Sequence, residues 1–171
     1  RRITTTMATR SSSTSPRSST APGATPKRGA IQQGQQRSND GSYQMVNNAK
    51  KMGEQADYIL ADINSYLPER KFDLIHSMEV MYYLEDPAEV VKNLNNDWLE
   101  EEGRLIIGID HYYENLDSHS WQEKVGTPML MLKEAEWLDI FFESGLCDVK
   151  SWRSNPSIGW SGTLVLTGKK G

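Results

Sequence analysis

Residues 110–121 hold the densest chemistry in the chain: Asp110-His111-Tyr112-Tyr113-Glu114-Asn115, followed by His119 and Trp121. Imidazole, phenol and indole groups together can hold a small polar or amine-bearing molecule through hydrogen bonds and cation–π contact. A neutral His111 can then take a proton from it, so His111 is the candidate catalytic residue. Tyr112, Tyr113, His119 and Trp121 are the candidate substrate-binding residues. The alternative for the same segment is an aromatic-rich loop that packs beneath the C-terminal strands. No metal site is expected, because His111 and His119 stand eight residues apart on a loop, which is no ligand spacing. Cys147 is the single cysteine, which excludes an internal disulfide and a Cys-paired zinc site and makes a reducing compartment the default. Gly29 and Gly34 have the spacing of a phosphate loop, but Gln35 stands where that motif needs Lys. His76 sits in an apolar segment, where a lone histidine reads as a hydrogen-bonded structural residue.

The elements that must position these groups alternate between helical and strand periods, the pattern of an α/β domain. Tyr43 to Met52 reads as a helix, with Met45, Ala49 and Met52 on one face and Ser42 as its cap. Tyr58-Ile59-Leu60-Ala61 and Phe72-Asp73-Leu74-Ile75-His76 read as short strands. The clearest helix start is Asp86 as N-cap, Pro87 at the first helical position and Glu89 three residues after the cap. Val90, Val91, Leu94 and Trp98 follow on one face. Arg104 to Ile109 is an almost unbroken apolar run, as expected of a central parallel strand. Trp137, Leu138, Phe141 and Phe142 form the stripe of another helix stopped by Gly145. Cys147–Trp152 and Thr163–Thr167 are spaced as a hairpin. Trp152-Arg153 and Trp160 read as packing or pocket wall.

Of 171 residues, 19 are Lys or Arg and 23 are Asp or Glu, but the charge is divided unevenly. Residues 1–39 carry seven basic residues, no acidic one and 14 Ser or Thr, and read as a disordered tail. Residues 40–171 therefore carry a net charge of −11 and read as the folded domain. Such a surface repels phosphate backbones, so no nucleic-acid partner is expected. No segment approaches the roughly 18 apolar residues of a membrane span, so no membrane partner is expected and the chain reads as soluble. A cytoplasmic location is expected, with organellar import as the alternative that an acid-free, Arg- and Ser-rich N-terminus raises.

Taken in order, residues 40–171 resemble the class I, Rossmann-like S-adenosylmethionine-dependent methyltransferases. The resemblance rests on Asp40-Gly41-Ser42-Tyr43-Gln44-Met45-Val46, similar to the acidic turn after the family's second strand, and on the Asp62-Ile63 pair after Ala61. It continues through Phe72 to Val80 and Tyr83-Leu84-Glu85-Asp86-Pro87, similar to the fourth strand and its exit, and through Leu94–Leu99, Glu102-Gly103, the Leu105–Ile109 strand and the terminal hairpin. It implies S-adenosylmethionine as cofactor and methyl transfer to a small molecule. By the same resemblance Asp40 accepts from the ribose hydroxyls, Asp62 and Ile63 hold the adenine, and Ser77, Met78 and Glu79 line the strand end where open α/β sheets bind ligands. Transfer from a sulfonium needs positioning more than acid–base help.

The chain departs from the family at its start. It contains no Gly-x-Gly, and residues 30–39 read as too polar for a buried parallel strand. The expectation is therefore an α/β domain with a partial, mostly parallel methyltransferase sheet and a C-terminal antiparallel hairpin, N-terminally incomplete, with the first two strands and the glycine-rich turn missing. Two functions follow: a small-molecule methyltransferase, which the missing turn could impair, or a non-catalytic or truncated methyltransferase-like domain acting as an interaction module. Either would leave sheet edges unpaired and favour self-association.

Overall fold

The computed structural model describes residues 4–8, 36–40, 43–51 and 56–171. Seven strands form one sheet: β1 Thr4–Ala8, β2 Gln36–Asp40, β3 Ala56–Leu60, β4 Phe72–Met78, β5 Leu99–Ile109, β6 Cys147–Ser154 and β7 Thr163–Lys169. Their spatial order is β3-β2-β1-β4-β5-β7-β6. The β2–β3 and β4–β5 pairs are parallel, whereas β1 runs antiparallel to both β2 and β4, and β7 antiparallel to both β5 and β6. Strands β2, β3, β4 and β5 therefore end at the same edge of the sheet.

This arrangement corrects the expectation at the N-terminus. Thr4–Ala8 and Gln36–Asp40, which the composition placed in a disordered tail, are strands of the sheet, and the rest of residues 1–39 lie outside the described residues. β3 does not pair with its chain neighbour β4, because β2 and β1 stand between them. Polarity misled the reading because ladder hydrogen bonds come from the backbone, and strands near a sheet edge need little apolar side chain. The β1 position is filled by a strand running against its neighbours.

The C-terminal half follows the sequence closely. Asp86 caps α2 (Pro87–Asn93), its carboxylate accepting from the Glu89 N–H at 3.0 Å. The helix passes directly into a π-helical turn, Leu94–Trp98, which turns Trp98 into the core. Buried Asn95 on that turn donates to the Ser144 carbonyl at 2.9 Å, tying it to the end of a later helix. The apolar run at Arg104–Ile109 is the second half of β5, which begins five residues earlier than expected, at Leu99. α1 spans Tyr43–Lys51, with Ser42 and Met52 outside the described residues; α3 is Trp121–Val125, and α4 is Glu134–Glu143. α4 buries Trp137 and Phe141 and leaves Phe142 exposed. The core gathers Phe72, Ile75, Leu105, Ile107, Leu164 and Leu166 from the sheet with Val91, Leu94, Trp98, Trp137 and Phe141 from the helices. The terminal hairpin is antiparallel, as its spacing indicated.

Candidate functional site

The common strand edge brings four acidic residues together along the sheet. Asp40 ends β2, Asp62 follows β3 by two residues, Glu79 follows β4 and Asp110 follows β5. The register places Asp40 beside Leu60, Thr4 beside Met78, and Met78 beside Gly108. With strands about 4.8 Å apart, Asp40 and Met78 are separated by roughly 10 Å across β1.

At the β4 exit the backbone turns through Glu79, whose φ of 59° is a left-handed angle that L side chains disfavour. The turn is held by the Glu79 N–H donating to the Gly108 carbonyl at 2.9 Å. The Tyr82 hydroxyl donates to Glu79 Oε2 at 2.7 Å, while Glu79 Oε1 is buried without a partner. Burial pushes the Glu79 carboxyl up to about 7, the Tyr82 hydrogen bond opposing that push and the nearby Asp110 charge adding to it. Burial and the Glu79 charge also raise Tyr82. Asp110 Oδ1 is likewise buried and unpartnered. Ser77 is fully buried in β4, and the Met78 thioether lies over Gly108, filling the space a side chain there would need.

His111 is 1% exposed, and its Nδ1 lies 3.1 Å from the Ser118 carbonyl. A carbonyl only accepts, so Nδ1 carries the proton and Nε2 keeps its lone pair. His111 lines an open cavity of about 530 Å³ with His119, Gln122, Met129 and Met131. Burial pushes the imidazole down, the Ser118 carbonyl opposes that, and His119 adds to it. The ring is flanked by Tyr82, 5.5 Å between centroids, and by Trp121, 6.3 Å away and nearly parallel. Trp121 in turn stacks with Trp160 at 6.4 Å.

The Ser118 carbonyl is itself positioned. Buried Asn115 donates through Nδ2 to the Asp110 carbonyl at 2.7 Å and accepts at its own carbonyl from the Ser118 N–H and hydroxyl. Glu114 accepts from the Glu134 N–H at 3.1 and 3.2 Å, pinning the loop to the start of α4. Neither clamp was singled out in the sequence, nor were Tyr82, Gln122, Met129 and Met131. Tyr82, three residues past Glu79 and on the same short 3₁₀ turn exit, is the one that spacing offered.

The predicted residues divide. His111 and His119 line the cavity, and Trp121 stands between His111 and Trp160. Tyr113 is half exposed beside His119, whose Nε2 bonds the Tyr113 carbonyl at 2.8 Å. Tyr112 is not brought to the cavity: it is fully buried, its hydroxyl donates to the Gly162 carbonyl at 2.7 Å, and Arg153 lies over its ring. Asp62 is exposed and uses Oδ1 to accept from the Asn64 N–H and side-chain amide, at 2.9 and 2.8 Å. Ile63 packs on the edge of the core. His76 is half buried in the middle of β4. Among the described residues no group of three His, Cys, Asp or Glu is placed to hold a metal, and no helix is long and apolar enough to cross a membrane.

Comparison with known proteins gives the fold a likeness. Residues 30–107 match the family described as a methyltransferase domain. The chain thus has the fold of the class I, Rossmann-like S-adenosylmethionine-dependent methyltransferases and resembles their methyltransferase domain over residues 30–107. A curated relative, the (S)-coclaurine N-methyltransferase of Papaver somniferum, is 26% identical over 102 residues, covering 55% of this chain and 28% of the relative. The chain thus spans just over a quarter of that relative's length. In fold it is similar to a chain in the complex of the Haloferax volcanii Trm112 methyltransferase activator, with a TM-score of 0.66, 24% identity, and 77% of this chain and 69% of that one covered. It is also similar to a possible histamine N-methyltransferase from Thermotoga maritima, with a TM-score of 0.62, 18% identity, and 78% and 72% covered. The N-methyltransferase NodS from Bradyrhizobium japonicum, solved with S-adenosyl-L-homocysteine, gives a TM-score of 0.58 at 20% identity, with 77% and 64% covered.

The acidic residues at this edge fit S-adenosylmethionine, the cofactor that the methyltransferase-domain match implies. Acidic residues end or follow the adjacent strands β2 and β3, where ribose and adenine call for acceptors, and two orphaned carboxyl oxygens lie at the ends of β4 and β5. Between them the chain departs from the family, since β1 presents Thr4 at this edge rather than a strand exit.

Proposed function

We propose that this chain methylates a small molecule seated in the cavity between the β5 exit loop and α3, with His111 as the proton acceptor. The observation that carries the reading is the geometry of His111: a buried imidazole fixed through Nδ1 by the Ser118 carbonyl, on a residue that lines the cavity. S-adenosylmethionine supplies an electrophilic methyl group when bound. The chain's residues bind and orient: Asp40 and Asp62, with Ile63, would hold the nucleoside, and Ser77, Met78 and Glu79 would flank the reacting end. Trp121, with Tyr113 and His119 at the rim, would wall the acceptor. The proton released as the acceptor bonds to carbon would move to His111 Nε2.

A second reading, the non-catalytic interaction module, is favoured by the reversed β1. Calorimetric titration with S-adenosylhomocysteine separates the two. Saturable binding, weakened at least tenfold by Asp62→Asn, is expected; that variant keeps the Oδ1 acceptor of the Asn64 turn while removing the charge. A folded chain that takes up no ligand at millimolar concentration would favour the module.

A further inference from the structure

One side chain touches the strand edge with the orphaned carboxyl oxygens, the β5 exit loop and the segment beyond α3. It is Tyr82, 3% exposed, and three contacts fix it from outside the β4 exit turn. Its carbonyl accepts from the Leu130 N–H at 2.7 Å. Its ring lies 4.5 Å from that of Tyr83 and 5.5 Å from that of His111, centroid to centroid. The hydroxyl is thereby held in place, and from there it donates to Glu79 Oε2 at 2.7 Å.

Glu79 depends on that bond in two ways. The last torsion of a glutamate side chain is soft, so a carboxyl without a fixed donor turns freely and offers either oxygen. With Oε2 taken by Tyr82, Oε1 is the oxygen left over, buried and without a partner at the end of β4. The bond also favours the charged form of the carboxyl. Burial opposes ionisation most, the Tyr82 bond favours it, and the charge of Asp110 on the β5 exit opposes it. Tyr83 and His111, which flank the Tyr82 ring, are the other titratable neighbours of the pair among the described residues. A backbone held at a φ of 59° directs the Glu79 side chain toward this arrangement although L residues disfavour the angle.

We infer that Tyr82 is a positioning residue for cofactor uptake: its hydroxyl orients Glu79 and keeps it ionised, leaving Oε1 as the acceptor for a donor group of the cofactor. This rests on the methyl-transfer reading above, which sets Glu79 at the cofactor edge, and adds to it a residue that need not touch the ligand. An ionised acceptor forms the stronger, charge-assisted bond, so cofactor affinity follows the ionisation of Glu79.

The test is calorimetric titration of the full chain with S-adenosylhomocysteine at pH 6, 7, 8 and 9, each variant first checked for folding by circular dichroism. Wild-type affinity is expected to rise at least fivefold from pH 6 to 8, and Glu79→Gln to stay within twofold over that range. Tyr82→Phe keeps the ring and the carbonyl and loses only the hydroxyl. It is expected to bind at least threefold more weakly than wild type at pH 7 and within twofold at pH 9, because alkali restores the carboxylate that the missing bond no longer favours. Equal weakening at every pH would make Tyr82 merely structural and overturn the inference, as would wild-type affinity in Tyr82→Phe throughout. A second arm needs no cofactor: in the unliganded chain, the pH at which the urea midpoint declines is expected to move up in Tyr82→Phe. If that pH moves and folded wild type binds no S-adenosylhomocysteine, the cofactor reading fails and the Tyr82–Glu79 bond stands without a role in uptake. If the ligand binds and neither profile moves, the inference alone fails.

Discussion

Strands β4, β5 and β7 and the edge strand β3 belong to one sheet but bury their described side chains to different degrees. In the first group Phe72, Ile75, Leu105, Ile107, Ile109, Leu164 and Leu166 are all fully buried. In the second, Ile59 is half buried and Leu60 is 48% exposed, and beside them α1 adds Val46 to the core. Burying one such side chain is worth about 1.5–3 kcal/mol, against a net 0.5–1.5 kcal/mol for a ladder hydrogen bond. The half that carries His111 is thus a hydrophobic scaffold, and the end of β3 leans more on its backbone ladder. Local opening should begin in the second half.

The largest test of this contrast is a pair of truncations. Phe72→Ala should cost about 3–5 kcal/mol in urea unfolding, and Leu60→Ala less than about 0.5 kcal/mol. Comparable losses would mean that both halves rest on side-chain burial. Glu79, at the boundary between the halves, probes the site. Its carboxyl near 7 lies above the ordinary 4.5, so the folded state keeps a proton that the unfolded chain releases. The stabilisation this gives is complete below pH 4.5 and is lost as pH rises through 7. A decline of about 1–3 kcal/mol between pH 5 and 8, flattened in Glu79→Gln, is expected from urea midpoints. A wild-type profile that stays flat would place the carboxyl in water. Asp86→Ala removes the α2 cap within the scaffold half and should cost about 1 kcal/mol, read from the thermal midpoint. The finest comparison is amide exchange: the β2–β3 ladder should exchange faster than the β5–β7 ladder in the same sample, and equal protection would erase the distinction.

The same contrast explains what was legible in the sequence. Asp86-Pro87 with Glu89 announces a helix start because the cap and the first turn are local chemistry, and the apolar run ending at Ile109 announces a strand because burial on both faces demands it. Gln36–Asp40 announces nothing, since hydrogen bonds between main chains leave no mark on side-chain type. Tyr112 and Tyr113 show a different limit. They are adjacent and identical, yet one is sealed inside on the Gly162 carbonyl and the other is half exposed beside His119. Only the path of the loop, set by Asn115 and Glu114, decides which faces where. His111 was legible as chemistry, but the carbonyl that fixes its tautomer was not.

The pairing of Thr4 with Met78 has a consequence for how the protein is made. Synthesis proceeds from the N-terminus at about 5–20 residues per second. β1 therefore leaves the ribosome several seconds before β4, the strand that flanks it on the scaffold side, exists. β5 in turn waits for β7, near the far end of the chain, to cover its second side. The nascent chain carries open ladders until its last strand arrives, so the yield of folded protein should depend on translation speed and on chaperones that shield strand edges.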